Sequence, residues 1–261
     1  MTTRLICQTN TGRSARLAAN WLSCLQRLKI DDRASVYCVD DESTAQLVGY
    51  CTQRDIKARV FRFCQHEPQA LPRQDKHPWG TAVFMRLSLW KVDLMCQLSA
   101  QRPFEPFLYT DTDVVLLGNP EANLLDDRRT QPGVSLFFQS DREDYADPQT
   151  VPIPASGTKY CTGIVYQVNP ESRLWSLAYE WMKAHEGGPF VHDQHAVCEI
   201  LETWCRVPGY LSPTWCRNGA LDWNNNPVLV HANYSVEDKE QRFRRNNLWF
   251  ADDELLREVG L

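Results

Sequence analysis

The first third of the chain alternates short apolar runs with longer segments in which apolar residues recur at helical spacing. Strands are predicted at residues 4–8, 34–39 and 58–64, and helices from residue 14 onward and over 43–54. Strands and helices that alternate in such short units form right-handed crossovers onto a parallel sheet. The pattern therefore predicts an α/β fold with a Rossmann-like, mainly parallel twisted sheet flanked by helices.

The same periodicities continue through the rest of the chain. They predict a long helix at 79–98, shorter helices at 174–183 and 196–202, and strands at 107–109, 134–139, 160–168 and 228–230. The proline-containing segment 141–157 is predicted to be a loop that covers or shapes a pocket. Because the composition does not change along the chain, a single domain over 1–261 is expected.

Charge and apolar content narrow the class of protein. Lys and Arg total 28 against 33 Asp and Glu, a formal charge of −5, which argues against nucleic acid as the main partner. The chain has no long apolar segment near its start and no apolar run of about 18 residues, which predicts no secretory signal and no membrane span, and so a cytoplasmic protein. Ten cysteines without a C-x-x-C pair are expected to be reduced, mostly buried thiols.

Two carboxylates interrupt the apolar pattern near the middle of the chain. Asp111 and Asp113, separated by Thr112, follow the apolar run at 107–109. In an extended chain, residues i and i+2 point the same way, so both carboxylates can face one ligand. Hard oxygen ligands of this kind suit Mg²⁺ or Mn²⁺, which also binds substrate phosphates. The alternative is that these aspartates only cap a turn.

Polar residues also follow the first two predicted strands. In a doubly wound sheet the ligand lies beyond the carboxyl ends of the strands, where Thr9, Asn10 and Asp40 are expected. Their alternatives are a plain turn for Thr9 and Asn10 and a helix N-cap for Asp40. Arg86, on the helix before the central strand, is a candidate to reach a diphosphate. Gly163 would let a ligand or another segment approach its strand closely.

Two histidine-containing segments in the second half permit further metal ligands. His192 and His195 flank Asp193, but capping of the following helix by Asp193 is the better interpretation, with acceptance of a substrate hydroxyl as an addition. His231 ends a predicted strand, and Lys239 follows eight residues later. They could supply a third metal ligand and a phosphate counter-charge, although charged segments such as 238–245 are more often solvated helices.

In combination, four segments resemble a known family. YTDTDVVLLGNP, CTGIVYQVNP, HDQHAV and VLVHANY, in this order, are similar to motifs of the GT-A-fold nucleotide-diphospho-sugar transferases. The resemblance is greatest to the retaining galactosyl- and xylosyltransferase-like families related to the glycogenin group, and it covers residues 4–249. It implies a glycosyltransferase that moves a sugar, with UDP favoured as the nucleotide, to a hydroxyl of a glycan, protein or other acceptor with retention. Residues 1–118 would bind the nucleotide sugar and 119–261 the acceptor.

The resemblance also implies roles for individual residues. Those predicted to bind Mn²⁺ or Mg²⁺ are Asp111, Asp113 and His231; those beside the sugar and acceptor, and so the predicted catalytic residues, are Asp193 and Gln194; and those that contact the nucleotide sugar are Thr9, Asn10, Asp40 and Lys239. Further nucleotide-sugar contacts, predicted apart from the resemblance, are Arg86, Thr112, Gly163 and Asn233. The chain departs from the family at Cys161, where relatives often carry Asn. It also lacks the family's glycine between His231 and Lys239, so Arg242 could replace Lys239.

Two other functions remain open at this stage. Paired carboxylates also serve nucleotidyltransferases and phosphatases, but the chain has no G-x-x-x-x-G-K-[ST] phosphate loop. A non-catalytic sugar-nucleotide or carbohydrate-binding protein could keep the same fold. The presence of Asp111, Asp113 and His231 argues against lost catalysis.

Overall fold

The computed structural model describes residues 2–10, 12–63, 81–102, 104–140, 160–169, 172–186, 191–204, 207–219, 223, 226–233 and 238–261. The described elements in chain order are β1 (Arg4–Thr9), α1 (Arg13–Arg27), a 3-10 turn (Asp31–Arg33), β2 (Ala34–Cys38), α2 (Asp41–Gln53), β3 (Arg59–Arg62), α3 (Ala82–Gln101), β4 (Phe107–Thr110), β5 (Val114–Leu116), α4 (Glu121–Thr130), β6 (Leu136–Ser140), β7 (Tyr160–Gln167), α5 (Ser172–Ala184), α6 (Asp193–Thr203), β8 (Gly209–Tyr210), β9 (Cys216–Arg217), β10 (Leu229–His231), α7 (Lys239–Arg245) and α8 (Asp253–Glu258).

The central sheet has seven strands in the order β3-β2-β1-β4-β7-β6-β8, and a second sheet has the order β5-β10-β9. β1 pairs with β2, and β2 with β3, in parallel. β6 runs antiparallel to β7 and parallel to β8. This mixed, mostly parallel sheet with flanking helices confirms the predicted α/β class.

The chain forms two compact units. The N-terminal unit contains residues 4–75, 109–123 and 213–261, and the middle unit contains residues 1–3, 76–108 and 124–212. The expectation of one domain over 1–261, with functional halves at 1–118 and 119–261, stays a prediction. None of the described helices combines the length and apolar content that a bilayer span requires.

The core of the N-terminal unit forms around α1. Leu17, Trp21 and Leu25 recur at helical spacing and are buried. Leu17 belongs to a cluster that includes Val230 of β10 and Phe243 of α7. The long helix α1 therefore supports the short strand and short helix that carry candidate site residues.

The core of the middle unit lies between β6, β7 and the helices α3, α5 and α6. Phe137 and Tyr166 of the paired strands are fully buried, with ring centroids 5.8 Å apart. Trp175 of α5 is also fully buried. These large side chains fix β7 and α6, which carry Thr162 and Asp193.

The described cysteines fit the expectation of buried thiols. No two of them form a disulfide, and all except Cys96 are buried. Burial raises the pKa of Cys24 and of Cys51 to about 12. Both thiols are therefore protonated at neutral pH.

Several predicted boundaries shift. The third strand is shorter than 58–64, spans Arg59–Arg62 and is mostly exposed. The helix predicted at 79–98 begins at Ala82, because the hydroxyl of Thr81 caps it by accepting from Phe84 N. Residues 79–80 and the predicted loop at 141–157 lie outside the described residues.

Candidate metal and nucleotide-sugar site

The paired aspartates lie in the connection between the buried strands β4 and β5, within the stretch 109–123 of the N-terminal unit. Asp111 follows β4 directly, and Asp113 precedes β5. The extended geometry predicted for this segment is wrong, because Thr112 and Asp113 form a turn. Strand alternation therefore does not explain why the carboxylates converge. Hydrogen bonds place them instead: Tyr109 OH donates to Asp111 Oδ1 over 3.1 Å, and Ala232 N donates to the backbone oxygen of Asp113 over 2.9 Å.

His231 reaches the same position through strand pairing. It is the last residue of β10, which runs antiparallel to β5 and pairs His231 with Val114. His231 Nε2 consequently lies 3.4 Å from Asp113 Oδ1.

Asp111, Asp113 and His231 form a candidate metal group. One ligand atom from each residue lies within 4.8 Å of the other two. Within the described ranges, this is the only such group of three His, Cys, Asp or Glu side chains. Two carboxylates and one imidazole suit a divalent cation such as Mn²⁺, so the donor set fits the cation that the resemblance implies.

A lysine places a positive charge beside this candidate metal group. Lys239, the first residue of α7, contacts Asp113 Oδ2 with its ammonium group. Burial favours the neutral acid, but Lys239 and His231 hold the pKa of Asp113 well below its usual range. Asp113 is thus an anion at neutral pH although only 6% of its side chain is exposed. Contact of Lys239 with a phosphate group stays a prediction.

The β1–α1 connection adds hydroxyl groups near the aspartates. Thr9 Oγ1 lies 2.9 Å from Ser14 Oγ, and Ser14 Oγ lies 3.4 Å from Thr112 Oγ1. Ser14 therefore joins two of the predicted nucleotide-sugar residues, although its only local feature in the sequence is its place at the start of a helix. Asn10 follows Thr9 in the same connection and is partly exposed.

Asp40 and Asn233 both have structural partners. Asp40 caps α2 by accepting from Ser43 N over 2.7 Å, which confirms the N-cap interpretation. Its contact with a nucleoside stays a prediction. Asn233 Oδ1 accepts from Gly219 N over 2.6 Å, and a Cβ on Gly219 would lie 1.6 Å from Asn233 O. Asn233 therefore shapes the segment that follows His231.

Asp193 lies in the middle unit, where it forms a second buried charged group. The prediction that it caps the helix is wrong: His192 occupies the N-cap, and Asp193 is the first residue of α6. Asp193 Oδ2 is 2.8 Å from Lys91 Nζ and accepts from Thr162 Oγ1 over 2.6 Å. These tertiary partners orient the carboxylate toward α3 and β7.

The charge of Asp193 depends on this pairing. Burial favours its neutral form, but Lys91 and His192 outweigh burial and lower the pKa of Asp193. Lys91 is the cation of α3 that contacts a predicted site residue, whereas the sequence had pointed to Arg86 as a diphosphate contact. In the sequence, Lys91 stands between the apolar residues Trp90 and Val92, and this placement of a charged residue was the available signal.

The other predicted residues of the middle unit occupy different environments. Arg86 is exposed on α3, Gly163 is buried in β7 next to Thr162, and Gln194 is partly exposed in the first turn of α6. His195 Nε2 lies 3.7 Å from Glu199 Oε1. The H-x-x-H pair is not part of any candidate metal group in the described ranges.

Comparison with known proteins defines the class to which this chain belongs. Residues 50–244 match the sequence profile of the nucleotide-diphospho-sugar transferases. Because this match covers well over half of the chain, the chain belongs to that family, and it is a glycosyltransferase. No curated protein sequence matches the chain.

Solved structures share its fold. Mouse xyloside xylosyltransferase 1, in its apo form, is 14% identical, with 90% of this chain and 99% of that chain covered and a TM-score of 0.53. A glycosyltransferase involved in glycosylation of the PBCV-1 major capsid is 12% identical, with 94% and 100% covered and a TM-score of 0.54. The galactosyltransferase LgtC, in complex with donor and acceptor sugar analogues, is 14% identical, with 98% and 95% covered and a TM-score of 0.52. These likenesses support the GT-A fold.

Proposed function

We propose that the chain transfers a sugar from a UDP-sugar to an acceptor hydroxyl, with a divalent cation and with retention at the anomeric carbon. The observation that carries the proposal is the group of Asp111, Asp113 and His231, whose ligand atoms lie within 4.8 Å of one another. In a nucleotide-diphospho-sugar transferase, such a group is suited to hold Mn²⁺ or Mg²⁺ against the donor diphosphate.

The chemistry of the leaving group explains why cations gather here. Cleavage of the bond between sugar and diphosphate leaves negative charge on the departing phosphate oxygen. A bound divalent cation supplies Lewis-acid stabilisation of that charge. Lys239 adds a positive charge beside Asp113 and would contact a phosphate oxygen. Because the cation and Lys239 would stabilise the charge of the leaving group, no side chain has to donate a proton to it.

The nucleotide sugar would lie along the polar connections of the N-terminal unit. We assign nucleoside contacts to Thr9, Asn10 and Asp40, and contacts near the diphosphate to Thr112 and Asn233. The link from Thr9 through Ser14 to Thr112 supports a shared role for these hydroxyls. Arg86 and Gly163, which belong to the middle unit, each stay predicted nucleotide-sugar contacts.

We assign Asp193 and Gln194 to the sugar and acceptor. A double displacement would require Asp193 as the nucleophile. Its Oδ2 is already bound by Lys91 and Thr162, which stabilises the anion and weakens it as a nucleophile. This favours attack from the same face, in which the leaving diphosphate accepts the proton of the acceptor hydroxyl. The acceptor class, whether glycan, protein or another hydroxyl compound, is left to experiment.

A panel of UDP- and GDP-sugars with Mn²⁺ tests the proposal. We expect wild-type protein to release nucleoside diphosphate slowly without acceptor, and we expect both EDTA and Asp113→Ala to abolish the release. Asp126→Ala is the matched control, because Asp126 is an exposed carboxylate on α4 that pairs with Arg129. The anomeric form of the product, read by proton NMR, tests retention.

Each result of the panel has a distinct meaning. Binding of a UDP-sugar without turnover, even with a range of acceptor sugars, would favour the non-catalytic binding protein. Conversion of a UDP-sugar and added pyrophosphate to UTP and sugar 1-phosphate, without release of UDP, would favour a nucleotidyltransferase. Equal turnover by wild type and Asp113→Ala would refute the proposed role of the metal group.

A further inference from the structure

Two arginines of α1 bind the residues on either side of Lys239. Arg13 Nη2 lies 2.9 Å from Asp238 Oδ2. Arg16 binds Glu240 with both arms of its guanidinium, since Nε and Nη2 each donate over 2.9 Å to a different carboxylate oxygen. The two carboxylates that flank Lys239 in sequence are therefore both paired with the same helix.

The start of α7 depends on contacts of this kind. α7 has seven residues, and isolated helices shorter than about 12 residues are marginal in water. Asp238 caps it by accepting from Glu240 N over 2.9 Å and from Gln241 N over 3.2 Å. Farther along α7, Phe243 is fully buried in the cluster that contains Leu17 of α1. Both the polar start and the apolar face of α7 thus rest on α1.

The arginines also remove competing partners for Lys239. Without them, Asp238 Oδ2 and Glu240 Oε2 would be available to a neighbouring ammonium group or to a divalent cation. Arg16 and Arg244 both donate to Glu240. Since the flanking acids are occupied in this way, the ammonium group of Lys239 is directed to Asp113.

We propose that Arg13 and Arg16 are positioning residues that hold the first turn of α7 so that Lys239 stays beside Asp113, and that they thereby set the affinity for the diphosphate of the donor. The inference rests on the proposed function, which makes Lys239 a phosphate contact. Arg16 is the stronger of the two, because its paired hydrogen bonds fix orientation as well as distance. Arg13 acts mainly through charge, since its Nη2 is close to Asp238 Oδ2 but does not meet the geometry of a hydrogen bond, and its Nε makes none either.

Calorimetric titration of UDP and GDP with Mn²⁺ tests the inference in four variants: Arg16→Gln, Lys239→Ala, their combination and Arg33→Gln. Arg33→Gln is a matched control in the same unit, because Arg33 Nη1 lies 2.9 Å from Glu121 Oε2. The side chains of that pair are 15% and 27% exposed, against 27% and 17% for Arg16 and Glu240. Thermal unfolding of each variant checks folding.

Arg16→Gln is expected to weaken nucleotide binding about fivefold, because the loss of a paired charged contact frees the start of α7. Arg33→Gln should leave the affinity unchanged. In the Lys239→Ala background, Arg16→Gln should cause no further loss, since Arg16 acts through Lys239. If Arg16→Gln does not fold, Glu240→Gln replaces it, because that change weakens the same pair from the other side.

The outcomes separate this inference from the proposed function. Equal affinities for wild type, Arg16→Gln and Arg33→Gln would overturn the positioning role while leaving the proposed function intact. A full additional loss in the double variant would also overturn it, because the two residues would then act independently. Failure of the wild type to bind either nucleotide would overturn the proposed function, and the positioning role with it.

Discussion

Replacement of Lys91 by Met tests the charged group around Asp193. The substitution keeps most of the apolar stem and removes the ammonium group that lies 2.8 Å from Asp193 Oδ2. The two side chains are only 12% and 7% exposed, so water cannot replace the lost partner. Removing one member of a buried pair costs about 3–5 kcal/mol. Because Thr162 still donates to Asp193, we expect a loss of about 3 kcal/mol in the free energy of unfolding, or about 6 °C in Tm at this chain length.

The pH dependence of this loss gives the sharper test. In the wild type the pKa of Asp193 is lowered, so its ionised form stabilises the fold above the unfolded-state pKa of about 3.9 and that stabilisation disappears as pH falls. In Lys91→Met, the positive charge that offset the effect of burial is missing, so the pKa of Asp193 rises. As pH falls, Asp193 then becomes protonated and the destabilising buried charge disappears. The difference in Tm between wild type and variant should therefore be largest near pH 7 and narrow toward pH 4.5.

Differential scanning calorimetry at several pH values measures this difference. Lys183→Met is the control, because Lys183 is an exposed lysine that pairs with Glu186 over 3.1 Å, and its Tm should match the wild type. Combining Lys91→Met with Asp193→Asn should recover much of the lost stability, since no buried anion remains. A Tm difference that is constant from pH 7 to pH 4.5, or absent, would refute the reasoning.

Two further substitutions separate structural roles from binding roles in the N-terminal unit. Asp40→Asn should keep the thermal stability of the wild type, because Asn caps helices about as well as Asp, whereas Asp40→Ala should lose about 1 kcal/mol in the free energy of unfolding. UDP affinity measured on Asp40→Asn then isolates any nucleoside contact, and unchanged affinity would remove Asp40 from the binding set. Gly219→Ala should lower the Tm by several degrees, because its Cβ would lie 1.6 Å from Asn233 O, while Gly118→Ala should be tolerated, since its nearest neighbour would be 3.5 Å away. Equal Tm values for the two glycine variants would contradict the close approach.

The central group could be predicted because its residues carry strong local signals. Asp111 and Asp113 interrupt an apolar pattern, and His231 ends one, so each marks a strand end in the sequence alone. The geometry that brings these three residues together could not be predicted from the sequence. It depends on the pairing of His231 with Val114 and on a turn at Thr112, where an extended segment was expected.

The residues that could not be identified from the sequence are those whose partners are distant in the chain. Ser14 and Arg16 have no distinctive local motif, and each becomes informative only through a contact made by folding. Lys91 is marked only by its apolar neighbours in the sequence, which do not identify its partner. Arg16 and Glu240 are separated by 224 positions. The assignment of Asp193 as a cap was wrong for a related reason. A carboxylate is favoured in the first turn of a helix whether or not it caps the helix, so the sequence does not distinguish the two cases. The distant partner Lys91 determines the orientation of Asp193.

The most direct test of the account is the metal dependence of UDP binding, measured by calorimetry on wild type, Asp111→Asn and His231→Gln, with Asp126→Asn as the control. If Asp111, Asp113 and His231 hold a cation that carries the donor diphosphate, UDP affinity should fall at least about tenfold when EDTA removes Mn²⁺. The same loss should appear in Asp111→Asn and His231→Gln with Mn²⁺ present, and not in Asp126→Asn. UDP binding of equal strength with Mn²⁺, with EDTA and in both site variants would contradict the central claim.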